Sequence, residues 1–307
     1  MRDAFAQEVT TLATTDTRVT LLSGDIGNRM FDTFKENAPE RFQNCGIAEA
    51  NMMSVAAGLA LSGLRPVVYT ITPFTTTRCY EQIRVDVCYH KAPVIIVGTG
   101  SGLSYASLGP THHSLEDIAI LRALPDMIVF CPCDALEVRA GLRAALQQDK
   151  PVYIRLGKKG EPKIHADIPN LTLGKSITLR EGNEVCLINT GNMIGVVMQA
   201  ADALTAKGIS VRVENMHTVK PLDAAMLEQV FGACKLVATV EEHGVIGGLY
   251  SAVAEWSSSR ATVAQLKGFA LEDKFYHRVG SQNQLREHGG LTAEKIVTDI
   301  LHTLDRA

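Results

Sequence analysis

The sequence predicts an α/β protein built as two doubly wound domains, each around a mainly parallel sheet. Three observations carry this. Short continuous apolar runs such as Val67-Val68-Tyr69 and Val94-Ile95-Ile96-Val97 recur, the type found in strands buried on both faces. They alternate with segments of helical character. The stretch from Pro162 to Lys175, carrying Pro162, Pro169 and Gly174, interrupts the alternation, which then resumes. A chain of 307 residues accommodates about two domains. The expected division is 1–160, a linker at 161–180, and 181–307.

Composition narrows the class. Hydrophobic residues make up 46% and charged residues 21%, a globular balance with ample core. A net charge of -3 leaves no electrostatic footprint for nucleic acid or an anionic membrane. No apolar run approaches the roughly 18 residues that span a bilayer. Met1-Arg2-Asp3-Ala4 places an acid early and lacks an apolar core, so no signal peptide is expected. Seven cysteines without a tight spacing framework point to reduced thiols and a cytoplasmic setting.

Taken in order, residues 2–15 are helical and Val19 to Gly24 is a buried strand. The loop Gly24-Asp25-Ile26-Gly27-Asn28 follows it, where α/β folds place ligand-binding residues; a plain turn is the alternative. Arg41 to Cys45 ends a strand. The segment from Gly46 to Ala60 then reads as a helix so rich in small and apolar residues that it must be buried, in the core or against a second subunit. Its one carboxylate, Glu49, suits a helix N-terminus, where the dipole favours an acid.

Arg65 to Ile71 is the next strand and leads into Thr72-Pro73-Phe74, then an amphipathic stretch over 80–87. Behind the strand Pro93–Gly98 stands Gly98-Thr99-Gly100-Ser101-Gly102-Leu103. Leu103 occupies the third glycine position of a dinucleotide loop, and no acidic ribose ligand follows at the right distance. Cys131-Pro132-Cys133 and His112-His113 lack further ligands at metal-site spacing. Ser114-Leu115-Glu116-Asp117 has the character of a capped helix start, which gives His113 a structural role. A helix over 135–148 precedes the strand Pro151–Leu156 and the basic loop Gly157-Lys158-Lys159-Gly160. In the second half, strands are expected over 184–189, 211–214 and 236–240, with helices running to Lys207 and over 223–231.

Several of these segments together resemble one family. Gly46-Ile47-Ala48-Glu49 with Ala57-Gly58-Leu59-Ala60 resembles the glutamate segment of thiamine diphosphate enzymes, specifically the pyrimidine-binding domain of transketolases and deoxyxylulose-phosphate synthases. Tyr80-Glu81-Gln82-Ile83 is similar to the same domain. Gly109-Pro110-Thr111-His112 resembles the transketolase signature Asp-Gly-Pro-Thr-His-Gln. Glu241-Glu242-His243-Gly244 and Gly247-Gly248-Leu249 resemble the transketolase C-terminal domain. The resemblance spans essentially the whole chain and corresponds to the C-terminal half of a transketolase.

The resemblance implies a pyrimidine-binding domain followed by a transketolase C-terminal domain. It implies thiamine diphosphate as cofactor, with Glu49 bonded to the pyrimidine ring nitrogen and supporting its imino tautomer. Phe74 is implied to stack on the aminopyrimidine, Asp25 and Ile26 to lie beside the cofactor, and His112 to face the substrate and move protons at its oxygens. Lys158 matches the residue that grips a sugar phosphate, with Arg155 the alternative and a solvated basic loop the bland reading. His243 is expected to be structural or at a subunit interface.

One part is missing. The family holds the diphosphate through Mg2+, using Gly-Asp-Gly and an Asn roughly 25–30 residues on. No such motif stands here, and no metal ligand is assigned to this chain. The implied partner is therefore a separate N-terminal subunit carrying Gly-Asp-Gly…Asn, in a heterotetramer of two plus two chains. The expected activity is transfer of a two-carbon ketol unit from a ketose to an aldehyde. Alternatives are a deoxyxylulose-phosphate synthase-like or other acyloin-forming carboligase subunit, or a non-catalytic scaffold or regulatory subunit. Gly100 and Leu108 stand where sugar-phosphate transketolases carry a histidine and an aspartate that hold substrate. A deoxygenated, branched or otherwise modified sugar, or a smaller aldehyde, is therefore expected.

Overall fold

A computed structural model describes residues 1–304; the last three positions expected in the second domain lie outside the described residues. Strands β1 (Val19–Ser23), β2 (Phe42–Asn44), β3 (Arg65–Ile71), β4 (Ile95–Thr99), β5 (Ile128–Phe130) and β6 (Val152–Leu156) come from the first half. The second half supplies β7 (Ile177–Arg180), β8 (Val185–Asn189), β9 (Val211–Asn215), β10 (Thr218–Lys220), β11 (Leu236–Gly244) and β12 (Gln265–Leu271). They form two sheets, ordered β10-β5-β6-β4-β3-β1-β2 and β12-β11-β8-β9-β7. Every pairing is parallel except β10 with β5 and β7 with β9. Both sheets thus follow the α/β expectation, with β1, β4, β6, β8 and β9 buried along their whole length.

Two details depart from the sequence reading. β7 lies inside the stretch expected as linker, and β10 crosses back to the first sheet. A three-residue strand shows no periodicity, so β10 is invisible until its partners are in place. The Cys131 amide donates to His217 O at 2.6 Å, and Lys220 Nζ donates to Arg122 O at 3.0 Å. The first sheet is therefore completed by the second half of the chain.

The helix Glu49–Leu61 buries Met52, Met53, Ala56, Ala57 and Ala60, a three-and-four spacing that aims one stripe at the first sheet. Each fully buried Met contributes about 1.5–3 kcal/mol. The opposite face leaves Val55 and Leu61 exposed, and Ile47, just before the helix, is 84% exposed. One continuous apolar cluster joins Leu22 and Val68 of the first sheet and Met53 of the helix on it to Cys186 and Val237 of the second sheet and Leu249 of the helix Leu249–Ser258.

The junction of the halves is polar where it is not apolar. Asp134 caps the helix Ala135–Leu146, accepting from Leu136 N and Glu137 N, and its other oxygen accepts from Ile164 N and His165 N. Cys133, Glu137 and His165 bring a thiol, a carboxylate and an imidazole within 4.8 Å of one another. Glu137 already accepts from Cys133 N and Asn215 Nδ2 and pairs with His165 Nε2 at 2.9 Å. Those bonds make the trio a hydrogen-bond hub between the linker and the second sheet. Among the described residues no helix is long and apolar enough to cross a membrane.

Candidate active site

The sequence-predicted positions gather at the carboxyl ends of the first sheet's parallel strands. Lys158 follows β6, His112 lies in the loop after β4, Phe74 follows β3, Asp25 follows β1, and Glu49 opens the helix after β2. That edge is where open parallel sheets collect ligand-binding groups.

Glu49 is the first helical residue and only 3% exposed. Its Oε1 accepts from Arg78 Nη1 at 2.9 Å. Its Oε2 is buried with no hydrogen-bond partner. An orphaned buried polar atom costs about 1–3 kcal/mol, so a donor arriving at Oε2 relieves that penalty. Arg78 also lies near Phe74, its Cζ 4.0 Å from the ring centroid. The Phe74 ring meets His112 edge-on at 5.4 Å. Glu49, Phe74 and His112 therefore share one site, with Arg78 bridging the first two.

His112 sits at the end of a loop that is tightly closed at its root. Gly102 and Ser114 exchange backbone hydrogen bonds, each 3.0 Å. Gly102 has φ +63, and a Cβ there would lie 2.3 Å from Glu242 Oε1, so only glycine permits this approach. Glu242 accepts from Leu103 N at 2.8 Å and from Gln282 Nε2, and pairs with Arg286. This bridge corrects the expected role of Ser114. The following helix begins at Asp117 without a side-chain cap, because Ser114 is held extended against Gly102.

The two basic candidates separate. Arg155 is buried; its Nε donates to Asp117 Oδ2 at 2.7 Å and its Nη2 to Ser114 O and Glu242 O. Tyr153 Oη adds a bond of 2.6 Å to the same Asp117 oxygen. Burial works against charge on Asp117, yet the Arg155 guanidinium prevails and holds its carboxyl below the usual range. Arg155 thus braces the His112 loop from within the core, its guanidinium engaged by Asp117, Ser114 and Glu242. Lys158, by contrast, places Nζ 4.4 Å from the Tyr105 ring centroid. It also lines a cavity of about 770 Å³ between the two halves, with Lys159, Ser104, Asn192 and Gln282.

Asp25 is exposed; its amide donates to Gly46 O at 3.0 Å and its Oδ1 accepts from Asn44. The Asp25 loop is thereby tied to the approach of the Glu49 helix. Ile26 packs against the apolar cluster under β1. His113 is 6% exposed with both ring nitrogens unpartnered, and burial pushes its pKa down. His243 is fully buried, its Nδ1 at 2.8 Å from Gly244 O. The sequence reading gave no role to Arg78 or Tyr105, and it did not anticipate that Glu242 reaches Leu103, 139 positions away.

The chain is similar to known proteins over nearly its whole length. Residues 1–162 match the family described as "Transketolase, pyrimidine binding domain", and residues 174–296 match "Transketolase, C-terminal domain". The chain is 37% identical over 264 residues to an apulose-4-phosphate transketolase subunit of Actinobacillus succinogenes, covering 86% of this chain and 85% of that one. It is 37% identical over 298 residues to the 6-deoxy-6-sulfo-D-fructose transketolase subunit SqwH of a Clostridium species, covering 97% and 92%. A solved split-gene transketolase, described as an inactive β4 tetramer, superposes with a TM-score of 0.92 at 36% identity, covering 99% and 98%. A transketolase mutant from Pichia stipitis shares the fold, with a TM-score of 0.82 at 18% identity over 45% of its chain. The protein belongs to the transketolase family. More narrowly, the chain carries that family's pyrimidine-binding and C-terminal domains.

Proposed function

We propose that this chain is the C-terminal subunit of a split transketolase, moving a two-carbon ketol unit from a ketose to an aldehyde acceptor. One observation carries it: Glu49 is buried beside Phe74 and His112 with one carboxylate oxygen left without a partner. Those residues fit thiamine diphosphate, which when bound supplies the carbon nucleophile that takes up the two-carbon unit.

Each side chain then has a definable task. Glu49 Oε2 would accept a hydrogen bond from the cofactor's pyrimidine, while Arg78 holds Oε1 and fixes the carboxylate's orientation. Phe74 would offer an aromatic surface for the pyrimidine, and Asp25 and Ile26 would lie beside the cofactor. His112, whose Nδ1 lies 3.0 Å from Thr111 Oγ1, takes and returns protons at substrate oxygens. Lys158 holds an anionic group of the substrate as a point charge. His113, buried next to His112 in the chain, is assigned a structural role.

The remaining half of the site comes from a partner. This chain lacks Gly-Asp-Gly…Asn, so an N-terminal subunit supplies it and holds the diphosphate through Mg2+. The assembly is a heterotetramer of two plus two chains acting in the cytoplasm. Ile47, just before Glu49, and Val55 and Leu61, further along the same helix, are exposed apolar side chains and support a contact on this helix. The solved relative described as an inactive β4 tetramer supports the expectation that this chain alone does not turn over.

The substrate is a modified sugar. Gly100 and Leu108 provide no polar side chain for an ordinary pentose phosphate, and the two relatives are named for apulose 4-phosphate and 6-deoxy-6-sulfo-D-fructose. The test is a donor and acceptor panel on the reconstituted pair. Branched, deoxygenated or sulfonated sugars should outperform xylulose 5-phosphate and ribose 5-phosphate. A wide margin in favour of the ordinary pentose phosphates refutes the substrate class.

A further inference from the structure

We propose that Tyr105 is a positioning residue: its ring, which also borders His112, fixes the Lys158 ammonium and so sets a preference for anionic substrates. Gly100 is the position that makes room for it. This rests on the reading of Lys158 as the holder of the substrate's anionic group.

Three contacts build the device. A Cβ on residue 100 would lie 1.9 Å from Tyr105 Cε2 and 2.2 Å from Cδ2, so the ring lies directly against the Gly100 backbone. Gly100 has φ +75, a conformation that side chains resist, so the two demands at this position coincide. Lys158 Nζ sits over the ring, 4.4 Å from its centroid. The same ring meets His112 at 6.0 Å between centroids, inclined by 60°. One aromatic ring is thus seated on Gly100, carries the cation, and borders the histidine.

The ring itself cannot drift. Tyr105 is 8% exposed, and both preceding residues are tied down. Leu103 N donates to Glu242, and Ser104 Oγ donates to Ser101 O at 2.7 Å and accepts from Gln282 Nε2 at 3.2 Å. Lys158, by contrast, has no carboxylate partner among the described residues. The nearest acid in its loop, Glu161, is engaged by the N-terminal ammonium of Met1 at 3.1 Å. A long, rotamer-rich ammonium is therefore located by the face of one ring. It remains free to pair with an incoming anion.

The test uses the chain reconstituted with its N-terminal partner and two acceptors of one skeleton, glyceraldehyde 3-phosphate and glyceraldehyde. Tyr105→Leu keeps bulk but removes the π face. It should raise KM for the phosphorylated acceptor by about two- to fivefold, the worth of one partly exposed cation–π contact. KM for glyceraldehyde and both kcat values should hold. Tyr105→Phe should restore the preference, and Gly100→Ala should abolish it by displacing the ring. Independently of activity, the Lys158 ε-carbon protons in 13C-lysine-labelled protein, assigned through Lys158→Arg, should resonate upfield of other lysines. That shift should vanish in Tyr105→Leu. Lys158→Ala acting on the phosphorylated acceptor alone while Tyr105→Leu acts on neither, or on both equally, overturns the role of Tyr105 and leaves that of Lys158 intact. If Lys158→Ala affects the two acceptors alike, the Lys158 reading fails and this inference fails with it.

Discussion

Replacing Glu49 with Gln removes one charge and changes one atom. Arg78 continues to donate to the amide oxygen, as it does to Oε1 at 2.9 Å. The amide nitrogen then stands where Oε2 was, presenting hydrogens to a ring nitrogen that must itself donate. A hydrogen bond to a charged group is worth about 1.5–3 kcal/mol net. Loss of one preorganised group from a water-poor site costs about 2.7–4 kcal/mol. At about 1.36 kcal/mol per factor of ten, kcat should fall roughly 10²- to 10³-fold. Stability should move little. Arg78 is 45% exposed on its side chain, which limits the lost ion pair to at most about 1 kcal/mol. Exchanging a buried charge for a neutral amide offsets part of that loss. The assay is steady-state turnover at saturating partner, thiamine diphosphate and Mg2+, beside a thermal melt of the same sample. A Glu49→Gln complex within tenfold of wild type, or one inactive only because it has unfolded, refutes the reasoning.

Two further predictions probe the scaffold. Asp117→Ala strands the Arg155 guanidinium, 2% exposed on its side chain, without a countercharge, and should cost about 3–5 kcal/mol in urea unfolding. The double variant Asp117→Leu with Arg155→Met should recover most of it, and a single-variant loss under about 1 kcal/mol contradicts the assignment of Arg155 to the core. The hydrogen bond to Glu137 raises the His165 pKa, burial opposing it in part. Its stabilisation is therefore complete below the unfolded value of about 6.5 and is lost as pH rises through the higher folded value. The melting-temperature gap between wild type and His165→Asn should be widest in mild acid and close towards alkaline pH; a gap that widens with pH reverses the sign.

Much of this architecture is legible because it is local. The apolar runs at Val67-Val68-Tyr69 and Ile95-Ile96-Val97 announce strands buried on both faces, and β3 and β4 lie where they predict. Glu49 and His112 sit in short contiguous motifs, so their neighbourhood could be anticipated from order alone. The parts that stayed hidden are long-range. Glu242 reaches Leu103 across 139 positions, and β10 becomes a strand only beside β5. Ser114 shows local preference overruled: a good capping residue is held instead by its bridge to Gly102. Arg78 stands in a run of threonines with no periodicity, and its value lies entirely in where the fold places Glu49 and Phe74. Tyr105 is similar, since its seat is the missing side chain of Gly100.

The central claim is a site divided between two polypeptides, and cofactor stoichiometry tests it most directly. Equilibrium dialysis of labelled thiamine diphosphate with Mg2+ should show no saturable binding to this chain alone. Titrating in the N-terminal subunit should bring binding to one cofactor per pair of chains, with transketolase turnover rising in proportion. Stoichiometric cofactor binding and turnover by this chain without a partner would contradict it.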